Sequence, residues 1–237
     1  PMLRLTHPDA SAHLADVTGE SIADLIQCLF DGVERVWTVD PWGPTVPGWN
    51  PSASVISELQ GYPCDTDLRV VDAESDGKAD LLVPELIAQT GEGPILGTEY
   101  DALSFTESTG AWTRTPTKLP TLSSSRERML FLDVNGDGLP DALQPGHQDG
   151  RLRTFINTGD GFSGPFLSVS DVLFTLGDNM RFAVPIDANA DGRQDLLIPG
   201  SQPGVGPVWS ILQATGSVGD GTFIELFTSI PVDSLLE

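Results

Sequence analysis

The sequence predicts an all-β fold built from four copies of one strand–loop–strand unit. Three observations predict this fold: frequent turn residues, short apolar runs between them, and an aspartate-rich segment that recurs along the chain. The 237 residues include 25 Gly and 19 Pro. This composition is typical of many short strands joined by turns and does not favour long helices.

The recurring segment has an aspartate at position 1 and another at position 9. Its first aspartates are Asp16, Asp72, Asp133 and Asp187, which lie 56, 61 and 54 residues apart. A segment that recurs at this spacing indicates one supersecondary unit repeated four times. We therefore predict a single domain over residues 1–237, with repeats at approximately 1–56, 57–117, 118–172 and 173–237.

Each copy of the segment is flanked by apolar runs that predict two strands. Leu130–Leu132 enters the third copy, and Leu196–Ile198 leaves the fourth. These runs are short and bounded by turn residues, which favours strands over helices. Further strands are predicted at Arg35–Val39, Ala102–Phe105, Leu152–Ile156 and Val208–Leu212, with a fourth strand after the glycine turns that precede Phe162 and Phe223.

Four antiparallel strands in each unit of 50 to 60 residues match the anatomy of a β-propeller blade. The sequence therefore predicts a β-propeller of four blades. Four blades are compatible either with a small ring or with an arc of a larger propeller, and the sequence leaves both open.

The recurring loop has the oxygen donors that calcium prefers. Ca²⁺ takes six to eight oxygen ligands, and acidic residues at alternate positions of a tight loop supply them. Glycine at position 6 allows the backbone to reverse sharply. The predicted ligands occupy positions 1, 3, 5 and 9 of the last three copies: Asp72, Glu74, Asp76 and Asp80; Asp133, Asn135, Asp137 and Asp141; Asp187, Asn189, Asp191 and Asp195.

The first copy departs from this pattern in its chemistry. Its four positions hold Asp16, Thr18, Glu20 and Asp24, and Ser21 replaces the glycine. We expect it to bind metal more weakly than the others. Asp, Asn and Gly also form good turns without metal. Four copies in register, each crowding carboxylates together, nevertheless favour a bound cation.

The loop Phe131–Asp141 and its three relatives resemble the FG-GAP or VCBS repeats of propellers like the N-terminal domain of integrin α chains. The resemblance implies a loop that joins the first two strands of a blade and binds Ca²⁺ at the residues named above. A narrower similarity is carried by Leu152–Phe162, which looks like the propeller repeats of RHS-repeat and Tc-type toxin proteins. There the propeller forms part of a shell or gate.

Charge and composition exclude several other functions. The formal net charge of −22 repels phosphate backbones, so we expect no nucleic-acid partner. No apolar run approaches the ~20 residues of a membrane span, so we expect no membrane insertion. The three histidines lie in no catalytic or zinc motif, which predicts that the protein is not an enzyme.

Two other features leave alternatives open. Cys28 and Cys64 are either a disulfide, as expected in an oxidising compartment, or two small buried apolar residues. Trp42 and Trp49 lie in a segment rich in proline and glycine. They either form a stacking surface for a sugar or a protein, or cover the gap between neighbouring blades.

The sequence thus predicts a non-enzymatic calcium-binding module, secreted or on the cell surface, that acts as a rigid scaffold for adhesion to a protein or carbohydrate ligand. The alternative is a structural shell or gate segment of an RHS- or Tc-type toxin complex. Its partners would then be other parts of a larger parent chain.

Overall fold

The structure is a computed structural model, which describes residues 12–30, 33–41, 54–90, 93–122, 129–145, 152–168, 182–202, 204–217 and 223–232. Within these ranges the chain forms four separate four-stranded antiparallel sheets. A short 3₁₀ turn lies at Ser57–Leu59, and no described helix has the length and apolar character of a membrane span. The predicted all-β class, with four blades of four antiparallel strands, is confirmed.

Sheets 1 and 2 each run in sequence order from one edge to the other. Sheet 1 contains β1 (Ala12–Ala15), β2 (Asp24–Phe30), β3 (Arg35–Asp40) and β4 (Ser54–Val55). Sheet 2 contains β5 (Arg69–Val71), β6 (Asp80–Thr90), β7 (Gly93–Thr106) and β8 (Ala111–Pro120).

Sheets 3 and 4 repeat the same order. Sheet 3 contains β9 (Leu130–Leu132), β10 (Asp141–Pro145), β11 (Leu152–Asn157) and β12 (Phe162–Ser168). Sheet 4 contains β13 (Val184–Ile186), β14 (Asp195–Gln202), β15 (Gly206–Ala214) and β16 (Phe223–Pro231). The fourth strands of sheets 3 and 4 begin at the two phenylalanines that the glycine turns predicted.

The chain divides into two compact units, residues 1–121 and 122–237. Unit 1 holds sheets 1 and 2, and unit 2 holds sheets 3 and 4. The single domain expected from the sequence stays a prediction.

Each unit has its own apolar core, formed by the strands next to the aspartate-rich loops. In unit 1, Ile26 of β2, Leu81 of β6 and Leu103 of β7 are fully buried in one cluster. In unit 2, Leu143 of β10 and Leu196 of β14 are fully buried in another. The second strand of each sheet is therefore buried immediately after the loop, which fixes the end of each loop against the core.

The two cysteines form a disulfide within unit 1. Cys28 in β2 is bonded to Cys64, with the two Cα atoms 5.4 Å apart. Both residues are also buried in the core of unit 1. The bond links sheet 1 to the segment that leads into sheet 2, which resolves the alternative that the sequence left open.

Candidate metal centres

The four aspartate-rich segments occupy the same place in their sheets. We number them loop 1 to loop 4; each connects the first strand of a sheet to the second, and the aspartate at position 9 is the first residue of that second strand. The loops are residues 16–24, 72–80, 133–141 and 187–195. The structure thus places every predicted metal-ligating residue in an equivalent position.

All four loops share a backbone conformation with two residues at positive φ. At position 6, Gly77, Gly138 and Gly192 have φ of 86° to 88°, and Ser21 adopts 61° at the same point of loop 1. Loop 1 departs from the others in chemistry but not in backbone path.

The second positive φ, at position 4, was not predicted. Glycine occupies this position in loops 1 and 3, at Gly19 and Gly136, whereas Ser75 and Ala190 adopt φ of 52° and 58° in loops 2 and 4. Residues other than glycine are disfavoured there by about 1–2 kcal/mol. The two glycines were visible in the sequence, but serine and alanine in the other copies concealed the pattern.

The carboxylate at position 1 holds the loop closed from within. In loop 3, Oδ1 of Asp133 accepts the N–H of Gly136 at 2.7 Å, and Oδ2 accepts the N–H of Gly138 at 2.8 Å. In loop 2, Oδ2 of Asp72 accepts the N–H of Gly77 at 2.9 Å. The same pattern in loops 2 and 3 shows that this aspartate stabilises the turn through hydrogen bonds from the backbone.

The aspartate at position 9 is buried in every loop. Asp24, Asp80, Asp141 and Asp195 expose 5% or less of their surface. Each accepts the N–H of the residue at position 2, as Asp141 does from Val134 at 3.1 Å. Sequence reasoning assigned this residue only to the metal, and its role in satisfying buried backbone groups was missed.

Burial, with a contribution from neighbouring carboxylates, raises the pKa of three position-9 groups, Asp24, Asp80 and Asp141. Burial raises the pKa of Asp141 to about 6, and the charges of Asp137 and Asp133 add to the rise. Burial likewise raises the pKa of Asp80, with Glu74 and Asp76 contributing. The acidic side chains of a loop are therefore close enough to repel one another.

Loops 3 and 4 have the same side-chain arrangement at positions 3 and 5. In loop 3, the amide nitrogen of Asn135 donates to Asp137 at 2.8 Å, while its amide oxygen accepts the N–H of Asp137 at 2.9 Å. Asn189 and Asp191 repeat both contacts at 2.7 Å and 3.1 Å. In loop 1, by contrast, the hydroxyl of Thr18 donates to Asp24 at 3.0 Å.

Loops 2 and 4 carry a cationic side chain at position 7. Nζ of Lys78 lies 2.9 Å from Oδ2 of Asp76, the position-5 carboxylate of its own loop. Arg193 makes the equivalent ion pair with Asp191. Loops 1 and 3 have Ile22 and Leu139 at position 7. Sequence reasoning did not weigh this difference.

The donor set of these loops fits calcium. Carboxylate, amide and backbone oxygens are the ligands that Ca²⁺ prefers, and a carboxylate oxygen that accepts one N–H keeps further acceptor capacity. In loop 3, for example, oxygens of Asp133, Asn135, Asp137 and Asp141 each accept an N–H group of the loop. Across the described ranges, no three His, Cys, Asp or Glu side chains converge as a group that could hold a metal ion. Trp42 and Trp49, the other predicted ligand-binding residues, lie outside the described residues.

Together these features define a class of protein: a β-propeller-type repeat protein whose aspartate-rich loops open each four-stranded blade. Residues 133–198, from loop 3 to the second strand of sheet 4, match the model of the FG-GAP-like repeat. This match confirms, for loops 3 and 4, the resemblance to FG-GAP repeats that the sequence predicted.

Among solved structures, the chain is similar to a chain of the Photorhabdus luminescens Tc holotoxin pore, with a TM-score of 0.56 and 18% identity. The match covers 94% of this chain and 10% of that one. An Agrocybe aegerita lectin, described as recognising non-reducing terminal N-acetylglucosamine, matches with a TM-score of 0.44 and 15% identity, over 91% of this chain and 65% of the lectin. No curated protein matches the chain. At these identities the first similarity shows the fold, and it confirms the predicted structural likeness to Tc toxin proteins.

Proposed function

We propose that the chain is a non-enzymatic, calcium-binding propeller module that acts as a rigid extracellular scaffold for a protein or glycan ligand. The observation that carries this proposal is the common conformation of the four loops. Each has positive φ at positions 4 and 6 and an acidic residue at positions 1, 5 and 9. A turn does not require so many carboxylates. Their mutual repulsion opposes folding unless a cation is bound between them.

Calcium would be held by the side chains at positions 1, 3, 5 and 9, and it would supply the positive charge that these carboxylates lack. A ligand that binds only the folded state stabilises it by RT ln(1 + [L]/Kd), or about 2.7 kcal/mol at a hundredfold excess. The module would then be rigid where calcium is abundant. The disulfide Cys28–Cys64 supports the same location, because such bonds persist in oxidising compartments.

Thermal unfolding tests the calcium proposal. The melting temperature should fall in chelator and recover when calcium is restored. Magnesium should restore it poorly, because it requires a smaller octahedral shell and releases its water reluctantly. A melting temperature that does not differ between chelator and calcium would contradict the proposal.

A second candidate function is that of a structural shell or gate segment in a larger toxin-like chain. The similarity to the Tc holotoxin pore over 94% of this chain favours it. A binding assay against arrayed glycans and candidate proteins distinguishes the two proposed functions. A scaffold module should bind a ligand by itself in calcium, and Trp42→Ala or Trp49→Ala should weaken that binding, whereas a shell segment should bind only other parts of its parent chain.

A further inference from the structure

Loops 3 and 4 have the same residues at all four predicted ligand positions but differ in charge at position 7. Both have Asp, Asn, Asp and Asp at positions 1, 3, 5 and 9, and both make the same contacts between positions 3 and 5. At position 7, however, loop 3 has Leu139 and loop 4 has Arg193. This is the one difference in formal charge between the two loops, since the residues that differ at positions 2, 4 and 8 are uncharged. We therefore expect the charge at position 7 to make the two loops differ in cation binding.

Arg193 is held in place by more than its ion pair with Asp191. Its Nε donates to the carbonyl oxygen of Ala214 at 3.2 Å. Its side chain also covers Gly136 of loop 3, since a Cβ atom built on that glycine would lie 3.2 Å from Cγ of Arg193. The guanidinium is thus held beside its own loop, while the aliphatic part of the side chain lies against the neighbouring loop.

Lys78 has the same placement in unit 1. It pairs with Asp76 of loop 2 at 2.9 Å. A Cβ atom built on Gly19 of loop 1 would lie 2.7 Å from Cδ of Lys78, so the lysine chain covers this glycine as Arg193 covers Gly136. The arrangement therefore occurs once in each unit, always from the second loop to the first.

We propose that Lys78 and Arg193 are tethered counter-ions, which keep loops 2 and 4 ordered without metal and lower their calcium affinity relative to the same loop without the cation. The inference rests on the calcium function proposed above. A cation that already neutralises the position-5 carboxylate must give up that contact, or share it, when calcium binds. Loop 3, which has no cation at position 7, should bind calcium first within unit 2.

The test is a calcium titration in which each loop is followed separately by NMR. The N–H groups of Gly138 and Gly192 donate to the position-1 carboxylates of loops 3 and 4, at 2.8 Å and 3.2 Å. Their amide signals should therefore respond to calcium in their own loops. In the wild-type protein the Gly138 signal should move at a lower calcium concentration than the Gly192 signal. The reverse order, or equal midpoints, would overturn the inference.

Substitution at position 7 tests the cause. Arg193→Gln should lower the calcium midpoint of Gly192 by about two- to fivefold, the range expected for an exposed ion pair. It should also lower the melting temperature in chelator. The control Arg153→Gln removes the same charge from β11 and should leave the Gly192 midpoint in place. If both variants shift it equally, only net charge matters and the inference is wrong.

The reciprocal substitution covers the case in which Arg193→Gln does not fold. Leu139→Lys places a cation at position 7 of loop 3 and should raise the calcium midpoint of Gly138, leaving Gly192 unchanged. An unchanged Gly138 midpoint would contradict the inference. If neither amide responds up to about 10 mM calcium, well above the range of extracellular modules, the calcium function itself is wrong and the inference fails with it.

Discussion

The backbone N–H of Gln194 donates a hydrogen bond of 2.7 Å to the carbonyl oxygen of Asp133, and the side-chain oxygen of Gln194 accepts the N–H of Asp133 at 2.9 Å. These residues occupy position 8 of loop 4 and position 1 of loop 3. In unit 1 the N–H of Ala79 makes the same bond to the carbonyl of Asp16, also at 2.7 Å. Within each unit the two loops are therefore joined by backbone hydrogen bonds, which hold the start of the first loop against the end of the second.

The contribution of calcium to stability should differ between loops. Asp137→Ala removes a position-5 carboxylate from loop 3, whose donor set is the better one, and Glu20→Ala removes the longer side chain from loop 1. We expect Asp137→Ala to reduce the calcium-induced rise in melting temperature more than Glu20→Ala does. Melting curves of both variants in calcium and in chelator measure this, and a larger effect of Glu20→Ala would contradict the ranking.

The disulfide should account for a large part of the stability of unit 1. Cys28 and Cys64 are 36 residues apart. Closing a loop of this length in the unfolded chain is worth about 3–4 kcal/mol. Urea unfolding with and without reductant should show this difference. The double variant Cys28→Ala, Cys64→Ala should be insensitive to reductant, because the chain has no other cysteine; equal stability in both conditions for the wild type would refute the prediction.

Arg114 should be essential to the packing of sheet 2. Its Nη1 lies 3.0 Å from Oδ2 of the buried Asp101, and its Nη2 donates to the carbonyl of Glu58 at 2.7 Å. Arg114→Met leaves both acceptors without this donor, at an expected cost of about 2–3 kcal/mol. Arg35→Met, on an exposed side chain of β3, should cost less than about 0.5 kcal/mol. Urea unfolding measures both, and similar losses would argue against a special role for Arg114.

Asp141 should give the calcium-free protein an unusual pH dependence. Its pKa is about 6 in the folded chain, above the value of 3.8 for an unperturbed aspartate. The folded state therefore holds a proton that the unfolded state has lost, and the stability this proton provides disappears as the pH rises through 6. A shift of this size corresponds to about 3 kcal/mol.

His13 changes the stability in the opposite direction. Burial favours its neutral form and lowers its pKa, so the stability that the neutral form provides is lost as the pH falls. The difference between wild type and Asp141→Asn isolates the aspartate. In chelator, the advantage of wild type over this variant should shrink between pH 4 and pH 7 by about 3 kcal/mol. Urea unfolding at several pH values measures it, and a constant difference would rule out the raised pKa.

Replacing Ala190 with glycine should increase the stability of the protein. Its φ of 58° is unfavourable for alanine, and Ala190→Gly should stabilise the protein by about 0.5–1 kcal/mol after the added flexibility of glycine is counted. Ala188→Gly, two residues earlier on the same exposed loop, should destabilise it instead. Chemical unfolding in chelator compares the two, and a loss of stability in both would show that the strain at Ala190 is negligible.

The sequence by itself determined the repeat, the strands and the identity of the loops, because these depend on local signals. The aspartate pattern that begins at Asp16, Asp72, Asp133 and Asp187, the apolar runs and the glycine turns are each recognised within a few neighbouring residues. The strand predicted at Ala102–Phe105 is only the end of a longer one, because β7 begins at Gly93.

The tertiary structure decided what depends on residues far apart in the chain. It paired Cys28 with Cys64, and it buried Asp141 where the N–H of Asn157, in another strand, reaches it at 2.8 Å. It also placed the side chain of Arg193 against Gly136 of the preceding loop. None of these contacts has a local pattern, because each is set by how whole strands pack, and the burial of a charged group depends on that packing rather than on its neighbours in sequence.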